Sequence, residues 1–174
     1  MIFDVDLQSV LELVEVAVRF ERPWDAEEIS SELVVSGWEP VGSVSLPYPK
    51  RLGLGSLLLG IEYDRDAVAV GVTLKEWQVD WNSADYIKAV SEGYKDQIHY
   101  CRELANRLVQ LLGQKFSVGS EDLVLDKDEF PFVYVDCWKV ANVHVILGLE
   151  HLDPDDTPIR VSLYLSQGSM EQPS

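Results

Sequence analysis

The side chains that could hold a metal or relay a proton are few in this chain and poorly spaced for either task. There are three histidines, His99, His144 and His151, and two cysteines, Cys101 and Cys137. His99 and Cys101 lie two apart in a helical pattern, so they point ~200° apart and do not chelate one ion together. Cys101 falls on the apolar stripe and reads as a core thiol, while His99 reads as a solvated flank residue. His144 and His151 share one strand-like run at an odd offset, which puts them on opposite faces. No other His or Cys has zinc-type spacing, and the acids of Glu150-His151-Leu152-Asp153 lead into a turn beside Pro154. No metal is expected. A nucleophile elbow of the Gly-x-Ser-x-Gly type is missing, and Gly53-Leu54-Gly55 lacks the third glycine and following helix of a dinucleotide fingerprint. Acidic neighbours are plentiful, but in a chain this acidic their adjacency carries little. No catalytic residue and no cofactor are expected, so the sequence points to binding.

Two features stand out as binding candidates. The first is the loop from Leu46 to Gly55, with Pro47, Tyr48, Pro49, Lys50, Arg51, Leu52 and Leu54. It gathers adjacent cations, a tyrosine and two leucines that read as exposed, and Tyr and Arg are frequent interface anchors. The plain alternative is a connector whose cations pair with local acids. The second is one face of the C-terminal strands. Val143, Val145, Leu147 and Leu149 face one way with Ile159, Val161, Leu163 and Leu165, leaving His144, Ile146, Glu150, Arg160, Ser162 and Tyr164 on the other. Tyr134, Asp136 and Trp138 alternate on the strand before and are assigned to the same binding face. That face is either a docking surface, a solvated one, or one covered by the Pro-rich loop.

These candidates must be positioned by the elements around them. Leu7 to Phe20 has apolar residues at helical spacing (Leu7, Leu11, Val14, Val18), and Arg22-Pro23-Trp24 interrupts it. Asp25 followed by Glu28 forms an acidic capping box for a second helix from about Ala26 to Ser36, closed by Gly37 with Trp38 packing back. Residues 39–55, rich in Pro and Gly, read as loop. Ser56–Tyr63 and Ala67–Leu74 read as a hairpin, with an extension possible to Trp81. A long helix from about Asp85 to Leu112 carries Ile87, Val90, Tyr94, Ile98, Cys101, Ala105, Leu108 and Leu112 on one stripe. An acidic connector, Ser120 to Glu129, then leads to three strands, Phe132–Lys139, Asn142–His151 and Pro158–Ser166. Residues 167–174 read as a frayed tail. The fold class is α+β, in the order α-α-β-β-(β)-α-β-β-β, an antiparallel sheet with helices on one face and one domain over 1–174.

Charge narrows the partners. The 174 residues hold 30 acids against 14 Lys and Arg, a formal net charge of −16. Such a field repels nucleic acid and anionic membranes and steers basic partners, so neither nucleic acid nor membrane is an expected partner. No apolar run nears the ~18 residues of a membrane span. The acidic start, Met-Ile-Phe-Asp-Val-Asp, lacks a basic signal-peptide region. With two isolated cysteines, the expected location is the cytoplasm.

Pro23-Trp24 with Glu27-Glu28, Gly37-Trp38 closing the second helix, a hairpin, a long helix ending in Leu-Leu-Gly, and Trp138 before the closing strands form one plan over most of the chain. It resembles small actinobacterial domains of unknown function and the immunity proteins of polymorphic toxin systems. These include the immunity factor against tuberculosis necrotizing toxin, a secreted NAD glycohydrolase. The resemblance rests on element order and tryptophans, and transfers no residue roles. It implies a cytoplasmic protein that binds a protein toxin domain, is monomeric before complex formation, and occludes the toxin's active site. The residues put forward as contacts are Tyr48, Lys50, Arg51, Leu52, Tyr134, Trp138, His144, Arg160 and Tyr164. An acidic secretion or folding chaperone for an exported protein is the alternative; it would dimerise and expose larger apolar grooves.

Overall fold

The computed structural model describes residues 5–20, 23–42, 50–64, 67–78, 84–120, 132–151 and 158–167. Their elements run α1 (Leu7–Val18), α2 (Ala26–Val35), β1 (Glu39–Pro40), β2 (Arg51–Leu54), β3 (Leu57–Asp64), β4 (Ala67–Trp77), α3 (Tyr86–Gly113), β5 (Val118–Ser120), β6 (Phe132–Val140), β7 (Val143–Glu150) and β8 (Ile159–Gln167). This is the α+β class expected, and the order agrees in outline. Three short strands go beyond it. β1 and β2 occupy stretches read as loop, and β5 lies just before the connector. The connector itself, apart from Ser120, lies outside the described residues, as do 168–174 of the expected tail. Gln167 is no part of a tail: it ends β8, and its amide donates to the Phe20 carbonyl at 2.6 Å.

Local chemistry explains the helix ends. Asp6 caps α1 by accepting from the backbone N–H groups of Gln8 and Ser9 and from the Ser9 hydroxyl. Those hydrogen bonds hold its carboxyl below the ordinary carboxylate value, with the Ser9 hydroxyl contributing most. Asp25 caps α2 through the N–H groups of Glu27 and Glu28, both at 3.0 Å. The far end of α2 is a Schellman motif. Gly37 takes φ +97°, its N–H reaches the Val34 carbonyl, and the Trp38 N–H reaches Leu33. Trp38 is thereby turned into the core, at 2% exposure.

The eight strands form one sheet in the order β1-β2-β3-β4-β8-β7-β6-β5, with every neighbouring pair antiparallel. Two meanders, β1–β4 and β5–β8, are joined edge to edge by β4 and β8. α3 carries the chain from the centre of the sheet to its far edge. All three helices pack on the face built from Leu57, Leu59 and Ile61, from Val68, Val70 and Val72, and from the odd-numbered residues of β7 and β8. One apolar cluster therefore unites the helices with that face. α3 contributes Tyr100, Cys101, Leu104, Ala105, Leu108 and Leu112 to it. Ile87, read as part of the buried stripe, is 71% exposed; the buried residues of α3 begin at Gln97. No helix among the described residues is long and apolar enough to cross a membrane.

Leu163 sits at the junction of the meanders, fully buried between Val72 and Leu147. Leu163→Ala is expected to cost about 2–5 kcal/mol. Urea denaturation should show a lower midpoint with an unchanged m value.

Candidate functional site

The second face of the sheet is composed differently, as its cross-strand rows show. Arg51, Gly60, Gly71, Tyr164, Ile146 and Cys137 form one row from β2 to β6. Leu58, Thr73, Ser162, Gly148 and Val135 form the next, and Glu76, Arg160, Glu150 and Phe132 the third. A cavity of about 720 Å³ lies against these rows, a volume usual for a ligand or side-chain pocket. Gly60, paired with Gly71, leaves an opening in the floor, with no heavy atom within 4 Å of where a Cβ would sit. Aromatic rings take the place of side chains at Gly71 and Gly148. A Cβ on Gly71 would lie 3.0 Å from the Tyr164 ring, and one on Gly148 only 2.2 Å from the ring of Phe132. The two rings meet edge to face with centroids 6.1 Å apart.

Two β-bulges supply groups that strict alternation would withhold. In β4 the register with β8 slips between Thr73 and Lys75. Without that slip Glu76 would follow Val70, Val72 and Leu74 toward the helices; with it, Glu76 pairs with Arg160 across the cavity face, Nε to Oε2 at 2.9 Å. The same slip sends Lys75 and Trp77 to the helical side, where the Lys75 ammonium lies over the Trp77 and Tyr100 rings. In β6 the register slips between Phe132 and Tyr134, so that Phe132 faces the cavity and Tyr134 does not.

Glu150 is the centre of the polar arrangement. It is 7% exposed, lines the cavity, and accepts hydrogen bonds from the Ser162 hydroxyl and, at 2.9 Å, from the Tyr164 hydroxyl. Burial foremost, then the Glu150 charge and hydrogen bond and the nearby Glu62, push the Tyr164 phenol above its ordinary value. Tyr164 therefore stays protonated and keeps donating. A buried carboxylate set between hydroxyl donors and aromatic rings suits recognition of hydrogen-bond donors and cations.

The structure divides the residues singled out in the sequence. Arg51, Arg160 and Tyr164 line the cavity, and His144 lies on the same face, paired with Ser166 and Lys139. Lys50 is exposed just before Arg51. Tyr48 lies outside the described residues. Three others are corrected. Leu52 is fully buried rather than exposed, because β2 pairs it with Leu59 on the helical side, and Leu54 is half-buried. Trp138 pairs with Val145 and packs into the core, and Tyr134 pairs with Leu149, again on the helical side. There Tyr134 donates to Asp136 and lies under the Arg102 guanidinium, its phenol pushed up by burial and then by Asp136. His144 and His151 do face opposite ways: His151 meets the Tyr94 hydroxyl of α3. No cluster of His, Cys, Asp and Glu among the described residues could hold a metal. Phe132, Glu62 and Glu76 were not picked out in the sequence; Glu150 and Ser162 were placed on this face by alternation but not ranked as contacts. Comparison with protein-family models, curated proteins and solved structures gave no match.

Two outcomes follow from this geometry. Gly148→Ala forces the Phe132 ring off the sheet and is expected to cost about 1–3 kcal/mol, with loss of the upfield ring-current shifts that Phe132 imposes on its neighbours. The second concerns alkaline pH. Burial, then Asp136, pushes the Cys101 thiol from 9.0 up to about 12, and Tyr134 and Tyr164 are raised from 10.0. The folded state thus retains protons that the unfolded chain releases. The resulting stabilisation is complete below pH 9 and is lost as pH climbs through 12 for the thiol. Melting temperature should fall progressively over that window, and less steeply in Cys101→Ala than in the parent once their neutral-pH difference is subtracted.

Proposed function

We propose that this chain is an immunity protein, which neutralises a secreted toxin by seating part of the toxin domain on the cavity face of the sheet and so blocking its active site. The observation that carries this reading is the contrast between the two sheet faces. One is a continuous apolar core under the helices. The other is a broad cavity flanked by Arg51, Leu58, Glu62, Glu76 and Arg160, a mixture of exposed apolar and paired charged groups typical of a protein-binding surface. Its polar groups are bonded to one another, Arg160 to Glu76 and Ser162 and Tyr164 to Glu150. That fits a preformed docking surface better than a nucleophile awaiting a substrate.

Charge supports the same reading. A domain of net charge −16 attracts basic surfaces over long range, which speeds capture of a toxin before damage accumulates. Family resemblance supplies the toxin as partner, with a nucleotide-consuming activity such as NAD glycohydrolysis as the activity blocked. The proposed contacts are those that the sheet brings together, Arg51, Arg160 and Tyr164. Arg51 acts from a strand and not from a loop, since Arg51–Leu54 form β2.

The test is a survey of the genes beside this one, followed by co-expression of this chain with the C-terminal domain of each large secreted protein they encode. The parent should rescue growth and co-purify with the toxin. Arg51→Glu combined with Leu58→Arg, both exposed positions on the cavity face, should weaken the complex by about 100-fold or more. Lys88→Glu, on the exposed start of α3, should leave it unchanged. A complex of undiminished affinity in the double variant rules out this face. Failure of the parent to bind or rescue rules out the inhibitor.

A further inference from the structure

The cavity holds one group that no cation among the described residues neutralises. Glu150 is more than nine-tenths buried, yet its hydrogen-bond partners among the described residues are two neutral hydroxyls. Its cross-strand neighbour Arg160 is turned to Glu76 instead. Among the described residues, three carboxylates, Glu62, Glu76 and Glu150, line the cavity against two guanidinium groups, Arg51 and Arg160. One negative charge is left over, and the least solvated of the three is Glu150. A buried charge without a counter-charge is costly. Each Glu150 oxygen accepts a single hydroxyl hydrogen, and a carboxylate has about four acceptor sites. About two acceptor sites, one on each oxygen, therefore remain for a further donor.

Aromatic geometry selects among cations. Phe132, seated on Gly148, and Tyr164, seated on Gly71, meet at a T-shaped angle of 68° beside this carboxylate. A planar, weakly hydrated guanidinium can stack on one ring while forking onto the carboxylate; a compact, strongly hydrated ammonium gains less from both.

We propose that the Glu150–Phe132–Tyr164 corner of the cavity is a recognition site for an arginine side chain presented by the protein partner. This rests on the docking face described above and names its anchor. The Ser162 and Tyr164 hydroxyls fix the carboxylate in place. The guanidinium stacks on one ring while forking onto the carboxylate, and Gly60, with no heavy atom near where a Cβ would sit, leaves room for the partner's backbone to approach.

The test needs no toxin. A Gly-Arg-Gly peptide with blocked ends is titrated into the ¹⁵N-labelled protein, alongside the same peptide with citrulline, a neutral isostere of arginine. The arginine peptide should bind saturably, shifting the amide resonances of Phe132, Glu150, Ser162 and Tyr164, and the citrulline peptide about tenfold more weakly or worse. Glu150→Gln should erase that preference. Phe132→Leu, which keeps the carboxylate, should lower arginine affinity about threefold. The ¹⁵N spectrum of each variant reports its fold directly, and if Glu150→Gln does not fold, Phe132→Leu decides. Equal binding of the two peptides, no binding of either, or a preference that survives in Glu150→Gln overturns the proposal. Arginine-selective binding in a protein that neutralises no toxin keeps the site and removes the inhibitor reading. Toxin neutralisation through this face with no arginine selectivity does the reverse.

Discussion

The pairing of β4 with β8 is the constraint on which the remaining structure depends. It is the only edge shared by the two meanders, β1–β4 and β5–β8, among the described residues, and it sets Val70 against Leu165 and Val72 against Leu163. Without it each half would expose an apolar edge strand, and four-stranded ribbons with long open edges invite association. With it, an eight-stranded sheet accumulates twist of roughly 20–25° per strand pair and curls. A curled sheet has two unlike faces. The helices cover one, and a cavity lies against the other.

The division of labour between the faces is achieved by small breaks in a regular pattern. A strand's period of two assigns each residue to a face by its parity, so sending a residue to the other face needs a slip. β4 supplies Val68, Val70 and Val72 to the core and then, past the bulge, Glu76 to the cavity and Trp77 to the helices. β6 does the reverse, presenting Phe132 to the cavity and, two residues on, Tyr134 to α3. Bulges near functional faces are common because one extra residue re-aims a side chain at modest cost. In this sheet both bulges lie at the same end of the cavity, beside the Glu150–Arg160 row.

Those slips also explain which parts were legible in the sequence. The helices, their caps and the two long hairpins follow from period and cap chemistry, because those signals are local. Asp25 and Gly37 each act through bonds within a few residues. The composition of β7 and β8 placed His144, Glu150, Arg160, Ser162 and Tyr164 together, since alternation within one strand needs no partner. Relating β6 to β7 did need a partner. Tyr134 and Trp138 look like an exposed aromatic face until the register sets them opposite Leu149 and Val145. Leu52 was misjudged for a similar reason. Four residues between prolines and glycines carry no strand period, and only pairing with β3 shows that it is core. Long-range register is the information that a single sequence does not carry.

The cavity face is arranged at some cost to the sheet. Gly60, Gly71 and Gly148 sit in strand interiors, where glycine gives up side-chain packing and backbone entropy. Tyr164 and Phe132 recover part of that loss by lying over two of them, but Gly60 has no heavy atom near where a Cβ would sit. Glu150 adds a desolvated charge in a position where a packed apolar residue would be the more stable choice. Four departures in one direction, at Gly60, Gly71, Gly148 and Glu150, all within adjacent rows of one face, are not what stability alone would select. The opposite face shows what stability alone selects: Val145, Leu147, Leu149, Val161, Leu163 and Leu165, each fully buried. The glycine–carboxylate rows behind them give up the packing that these rows keep, and among the described residues no cation pairs with the Glu150 carboxylate that they bury.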